Sequence, residues 1–137
     1  MRRSQALLVA VAATALLLGA CGDGDDAGDE TGTSIETTAS DFQFDPDSWT
    51  VPAGEEFTIE FQNDGTLEHE WAVIGLGEDL ESEADFSEDK VLFEVEAIPA
   101  GESTTETFTV DEPGTYQVIC AIETHFDSGM EGTLTVE

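Results

Sequence analysis

The sequence predicts an all-β domain, an antiparallel β-sandwich, and two observations carry this prediction. Short segments alternate between apolar and polar residues with the period of two that is typical of strands, and threonine is frequent at the polar positions. Clusters of glycine, proline and asparagine separate these segments. Several short alternating strands with such turn signals between them are typical of a sandwich.

The alternation is clearest in residues 56–62, where Phe57, Ile59 and Phe61 share one face. Residues 105–110 and 133–136 repeat the pattern, and turn signals lie at 52–54, 63–65, 98–101 and 112–114. Residues 75–90 are acidic and do not alternate. We expect them to form a surface crossover between the sheets, with a short helix near Leu80 to Phe86.

The first quarter of the chain, residues 1–34, differs in composition from the rest. Residues 1–20 combine two arginines, a short apolar run and small residues before Cys21, which is the pattern of a secretory signal. The segment Leu18-Gly19-Ala20-Cys21 resembles the lipobox of bacterial lipoproteins, which implies that Cys21 is lipidated. Residues 21–34 lack large apolar side chains, so we expect a disordered acidic tether. The folded domain is expected over residues 35–137.

The charge of the chain is strongly acidic. It has 32 aspartates and glutamates against 3 lysines and arginines, and its formal net charge is −29. Two of the basic residues lie in the signal, which leaves Lys90. This balance excludes nucleic acid as a partner. The acids are spread along the chain, which favours a surface adapted to salt, as in halophiles, over an acidic docking face for a basic redox partner.

Four side chains with soft or borderline donor atoms remain once Met1 and Cys21 are set aside. Cys120, His125 and Met130 follow one another with four residues in each gap, and His69 is the second of the two histidines. A thiolate with two imidazoles and a weak thioether bond is the arrangement of blue-copper sites. The sequence therefore indicates one type 1 copper ion.

The same residues have other interpretations. Each of them alone is more often a core residue, and a zinc site would use Cys120, both histidines and a carboxylate such as Asp127. A dinuclear copper centre needs two cysteines in the loop, and a second type of copper needs further histidines. A hydrolase is excluded because the chain has no G-x-S-x-G motif and no histidine to spare for a triad.

Motifs across the domain resemble the cupredoxin family of small blue copper proteins. They are V-P-A-G-E at 51–55, N-D-G at 63–65, H-E-W at 69–71, G-T-Y-Q-V-I-C at 114–120 and H-F-D-S-G-M-E-G-T-L-T-V at 125–136. The resemblance implies a Greek-key sandwich with His69, Cys120, His125 and Met130 as copper ligands near one end. The gap between the last two ligands is more similar to the auracyanin and sulfocyanin branches than to plastocyanin or azurin.

Two departures from the family pattern concern residues beside the ligands. Many relatives have Pro-Gly before the second histidine, where this chain has Glu123-Thr124, and asparagine after the first, where it has Glu70. An ionised carboxylate only accepts hydrogen bonds, so backbone N–H groups must donate to the thiolate. The charges of Glu70, Glu123 and Asp127 are expected to lower the reduction potential.

The resemblance implies an electron carrier, not an enzyme, that shuttles one electron between redox partner proteins of unknown identity. We expect a monomer held by its lipid on the outer face of the cell membrane. The edge of His125 would be the electron port, with Phe126 in the docking rim. The alternatives are a copper-binding or copper-delivery protein and a copper subunit of a respiratory complex.

Overall fold

A computed structural model describes residues 32–137. The signal at 1–20, the lipidation site at Cys21 and nearly all of the tether at 21–34 therefore lie outside the described residues. The described part of the chain contains nine strands and two short 3-10 helices, at Glu83–Asp85 and Glu88–Lys90. The strands are β1 (Thr33–Ser40), β2 (Gln43–Asp45), β3 (Ser48–Val51), β4 (Glu56–Asn63), β5 (His69–Ile74), β6 (Val91–Ile98), β7 (Ser103–Thr109), β8 (Gly114–Ile119) and β9 (Glu131–Val136).

The strands form two sheets, and the predicted all-β sandwich is confirmed. One sheet has the order β2-β1-β4-β7 and the other β3-β9-β8-β5-β6. Two pairs, β1 with β4 and β3 with β9, run parallel, so each sheet is mixed where an antiparallel arrangement was expected. The alternation within a strand reports which face is buried and carries no information on the direction of its neighbour.

The core between the sheets follows the alternation in the sequence. Phe57, Ile59 and Phe61 on β4 are fully buried, and burial of each such side chain stabilises the fold by roughly 2 kcal/mol. Asn63 continues the same inward-facing set at the end of β4. Its side-chain amide donates to the carbonyls of Leu67 and Ile98 at 2.8 and 2.9 Å, which fixes the turn that leads into β5.

The first strand begins slightly earlier than the domain boundary expected from the sequence. Thr33 and Ser34 already pair with Phe57 and Thr58 of β4. Threonine and serine can extend a strand edge through backbone pairing without an apolar side chain to bury, so hydropathy places the boundary two residues too late.

Residues 75–90, which we call the strap, do not cross between sheets. They connect β5 to β6, which are neighbours in the same sheet, so that part of the prediction is wrong. In place of one helix the strap has two single turns of 3-10 helix. Leu80 is buried, and its backbone exchanges two hydrogen bonds with the side chain of Gln117 on β8. The strap therefore lies against the outer face of the five-stranded sheet.

The strand registers define two ends of the sandwich. Ala39 pairs with Asn63, and His69 pairs with Ile98, at the end that we call the His69 end. Cys120 follows β8 at this same end, because the chain of β8 runs toward the start of β5. The beginnings of β1 and β8 lie at the opposite end. Among residues 32–137, no helix is long and apolar enough to cross a membrane.

Candidate metal centre

His69 is fully buried at the start of β5 and is oriented by a carboxylate. Its Nε2 lies 3.1 Å from Oδ1 of Asp41, in the turn between β1 and β2. An ionised carboxylate is an acceptor, so Nε2 carries the proton and Nδ1 holds a free lone pair. Among the residues that the structure describes, this buried Nδ1 has no hydrogen-bond partner. A buried lone pair without a donor indicates a place for a cation.

Asp41 connects the turn between β1 and β2 to His69 and to the segment before it, and no pattern in the sequence indicated this role. Besides His69, its carboxylate accepts bonds from the backbone and hydroxyl of Thr66 at 2.9 and 2.6 Å and from the N–H of Leu67 at 3.3 Å. These donors, the Thr66 hydroxyl first, hold the pKa of Asp41 well below its usual range. The only signal in the sequence is an aspartate in a turn, which is too common to indicate a role.

Cys120 presents its sulfur to the second histidine. The Sγ atom is fully buried and lies 3.3 Å from Nδ1 of His125. The backbone N–H of Glu70 points at the same sulfur at 3.5 Å, which agrees with the expectation that backbone groups donate there. Burial raises the pKa of the free Cys120 thiol to about 11. A thiol that is hard to ionise in this pocket becomes a thiolate only when a cation compensates its charge.

His125 and Met130 are placed by the loop that follows β8. The N–H of His125 donates to the carbonyl of Ile122 at 2.9 Å, and the N–H of Met130 donates back to the carbonyl of His125 at 3.1 Å. The N–H of Cys120 closes the loop on the carbonyl of Met130 at 3.2 Å. Met130 is fully buried, and His125 is only 4% exposed. Burial, followed by the proximity of His69, lowers the pKa of His125.

The fold thus brings together residues that are 51 positions apart in the chain. One ligand atom from each of His69, Cys120 and His125 lies within 4.8 Å of the other two. A thiol and two imidazoles, one of which has a buried nitrogen without a hydrogen-bond partner among the described residues, fit a copper ion. Thiolate suits Cu(I), and imidazole suits both oxidation states. Asp127 lies outside this cluster, so the zinc set with that carboxylate is not assembled.

The other residues expected near the site have separate environments. Glu70 is half-buried, and its carboxylate accepts the N–H of Ala121 at 2.8 Å. Burial, with Glu94 as a smaller contributor, raises the pKa of Glu70. Glu123 is exposed, and Asp127 accepts the backbone N–H of Glu83 at 2.7 Å.

The expectation that Phe126 lies in a docking rim is wrong. Phe126 is 8% exposed and packs in a cluster with Leu80 of the strap and Ile119. Phe42 and Leu67 are instead the large apolar side chains exposed at this end, at 39% and 44%. The ring of Phe42 meets that of His125 edge-on with centroids 5.3 Å apart. The sequence cannot distinguish these phenylalanines, because what covers Phe126 is a segment distant in the chain.

The structure is a β-sandwich with a buried cluster of one thiol and two imidazoles at one end. Comparison with known proteins finds the same class of structure. A family model described as a cupredoxin-like domain matches residues 7–136. Auracyanin-B of Chloroflexus aurantiacus is 31% identical over 105 residues, which cover 65% of this chain and 45% of auracyanin-B. The match thus spans less than half the length of that relative.

Solved structures agree with this family match. Dithionite-reduced auracyanin of Roseiflexus castenholzii superposes with a TM-score of 0.66 and 26% identity, over 77% of this chain and 98% of that one. Auracyanin A of Chloroflexus aurantiacus, described as a "blue" copper protein, gives a TM-score of 0.66 and 25% identity, over 77% and 99% of the two chains. The chain belongs to the cupredoxin family.

Proposed function

We propose that this protein is a type 1 blue copper electron carrier that binds one copper ion through His69, Cys120, His125 and Met130. The observation that carries the proposal is the buried cluster of His69, Cys120 and His125. In it Cys120 Sγ lies 3.3 Å from His125 Nδ1, and the buried Nδ1 of His69 has no hydrogen-bond partner among the described residues. Copper, when bound, supplies a one-electron couple between Cu(I) and Cu(II).

The chain's own residues hold the ligands in place before and after an electron is transferred. The carboxylate of Asp41 fixes the tautomer and ring orientation of His69, and the N–H of Glu70 donates toward the Cys120 sulfur. The sheets supply a close-packed support, so the ligands have little freedom to rearrange. Small rearrangement is what a fast electron carrier requires.

The exposed apolar residues Phe42 and Leu67 support a docking face for a redox partner at the His69 end. The imidazole of His125 contacts the ring of Phe42 edge-on and is 4% exposed, whereas His69, Cys120 and Met130 are fully buried, so His125 is proposed as the port for the electron. The partner would be a protein of low or positive charge, because the chain itself carries a net charge of −29. The spread of the acids favours adaptation to salt as the reason for the rest of the charge.

The number of histidines in the chain supports the role of an electron carrier that does not catalyse a reaction. The chain has two histidines, and both belong to the cluster. No histidine remains in the sequence for a second type of copper site, which copper oxidases need for their substrates.

Attachment to the outer face of a membrane is part of the same proposal. Its support is the lipobox-like segment ending at Cys21 and the position of β1, whose first residue Thr33 lies at the end opposite His69. A tether entering at that end would leave the docking face directed away from the membrane. We expect the carrier to act as a monomer.

Addition of Cu(II) to the metal-free protein tests the proposal. We expect an intense blue or green absorption from charge transfer between the thiolate and copper. A colourless product that prefers zinc would exclude a type 1 site. A Met130→Leu variant should keep the colour and raise the potential, because a weak axial donor to Cu(II) is removed.

The rate at which copper is exchanged distinguishes an electron carrier from a copper-delivery protein. A carrier keeps its copper for many electron transfers, whereas a delivery protein must release it to a chelator or acceptor on a useful timescale. Rapid loss of copper to a chelator together with slow electron self-exchange would contradict the proposed role.

A further inference from the structure

We infer that Glu83 of the strap is a positioning residue for the loop of residues 120–130 between β8 and β9, which we call the metal loop, and that it holds this loop by hydrogen bonds on both sides of His125. The side-chain Oε2 of Glu83 accepts the N–H of Thr124 at 2.6 Å. The backbone N–H of Glu83 donates to Oδ1 of Asp127 at 2.7 Å. One residue of the strap thus bonds the residue just before His125 and the residue two positions after it. This inference rests on the proposed function of the site.

The backbone conformation of Thr124 shows why the metal loop needs this support. Its φ angle is +74°, in the left-handed region that glycine adopts readily and a β-branched residue rarely does. A left-handed threonine persists only when its surroundings stabilise it. The hydrogen bond from its N–H to the ionised Glu83 is a charge-assisted bond of the stronger kind.

The loop itself also contributes to this conformation. The carbonyl of Thr124 accepts bonds from the N–H and hydroxyl of Ser128 at 3.1 and 2.6 Å. These bonds hold the carbonyl side of Thr124, whereas its N–H side is held by Glu83 alone among the described residues. Removal of the Glu83 carboxylate therefore leaves the N–H of Thr124, in the peptide that joins Glu123 to Thr124, without its partner.

The strap is fixed well enough to act as the support. Leu80 is buried against Phe126 of the metal loop, and its backbone is bonded to Gln117 of β8. A carboxylate three residues farther along the strap therefore has a defined position. A contact between segments distant in the chain therefore supports the backbone of Thr124.

Amide hydrogen exchange of the metal-free protein tests the hydrogen bond between Thr124 and Glu83 in the absence of copper. In Glu83→Ala, exchange at Thr124 should become about tenfold faster, as expected for loss of one hydrogen bond to a charged group. Glu83→Gln retains an acceptor and should show a smaller change. The matched control is Glu81→Ala, because Glu81 is an exposed acid of the same strap whose carboxylate has no bond among the described residues. Equal exchange at Thr124 in Glu83→Ala and Glu81→Ala would overturn the inference.

The copper-loaded protein gives the second readout. In Glu83→Ala we expect copper loss to a chelator to become at least about tenfold faster and the charge-transfer bands to change in relative intensity. A change of charge alone would move Glu83→Ala, Glu83→Gln and Glu81→Ala together, and that result would also overturn the positioning role.

Rescue distinguishes positioning from general loss of stability. In the double variant Glu83→Ala, Thr124→Gly, glycine adopts the left-handed conformation without strain, so copper retention should return toward that of the unmodified protein. Absence of rescue would contradict the inference. If neither the unmodified protein nor any variant binds copper with colour while the exchange results hold, the positioning role of Glu83 stands and the proposed function fails.

Discussion

The two ends of the sandwich are built from different kinds of contact. At the His69 end, His69 and Asn63 are fully buried polar side chains, and each bonds a specific partner from another segment. At the opposite end, Leu76 and Leu92 are 40% and 49% exposed, and they lie beside the buried ring of Tyr116.

The two kinds of contact differ in how well they tolerate substitutions. Hydrogen bonds in a buried network depend on direction and distance, so a small displacement leaves a polar atom unpaired. Apolar contacts between flexible side chains can be rearranged at lower cost. The His69 end is therefore expected to respond sharply to substitutions that the opposite end accepts.

The largest effect is expected from Cys120→Ser, which removes the sulfur from the His69 end. The intense absorption after addition of Cu(II) should be lost, because a serine hydroxyl supplies no thiolate charge transfer. Absorption spectroscopy checks this, with far-UV circular dichroism as the control that the sandwich remains folded. A Cys120→Ser variant that stayed blue would show that the ligand set is wrong.

A pair of glycine substitutions compares the ends directly. A Cβ at Gly65 would lie 2.5 Å from Asp41 Oδ1 and 2.7 Å from His69 Nε2, whereas a Cβ at Gly114 would meet the Leu76 side-chain tip at 2.7 Å. Gly65→Ala should destabilise the metal-free protein by about 2 kcal/mol, and Gly114→Ala by less than ~1 kcal/mol, since Leu76 is free to move. Denaturant unfolding measures both values. Equal losses would contradict the difference between the ends.

A smaller effect is expected from Asp41→Asn. Asparagine removes the negative charge that faces His69 Nε2, so the reduction potential should rise. Asp111→Asn, an exposed aspartate at the opposite end, makes the same change of charge far from the site. Voltammetry should show a larger shift for Asp41→Asn. Identical shifts would mean that only the total charge matters.

The smallest expected effect is a change in the pH dependence of stability, caused by Tyr116 at the opposite end. Burial raises the pKa of Tyr116 above its ordinary value of 10.0, and its hydroxyl donates to the carbonyl of Glu112 at 2.6 Å. Because the folded pKa is the higher one, this stabilisation is present below pH 10 and is lost as the pH rises through the folded value. Tyr116→Phe should weaken the loss of stability above pH 10, as thermal unfolding at several pH values would show. An unchanged pH profile would contradict the assignment.

Several of these features were predictable from residue type and spacing. The alternation around Phe57 and Ile59 predicted buried strands, and the count of soft donors predicted that Cys120, both histidines and Met130 belong to one site. The structure confirms the buried strands, and it places His69, Cys120 and His125 close to one another. The roles of Asp41 and Glu83 were not predictable, because a lone acidic residue in an acidic chain carries no pattern.

Periodicity and composition are local properties, so they were enough to predict which residues face the core and which donor atoms the chain can offer a metal. The directions of the strands, the burial of Phe126 beneath the strap and the exposure of Phe42 near His125 depend on how the whole chain packs. So do the contacts of Glu83 with Thr124 and of Asp41 with His69. These contacts join segments 28 to 41 residues apart, and their partners are selected by how the whole chain packs, which no local pattern encodes.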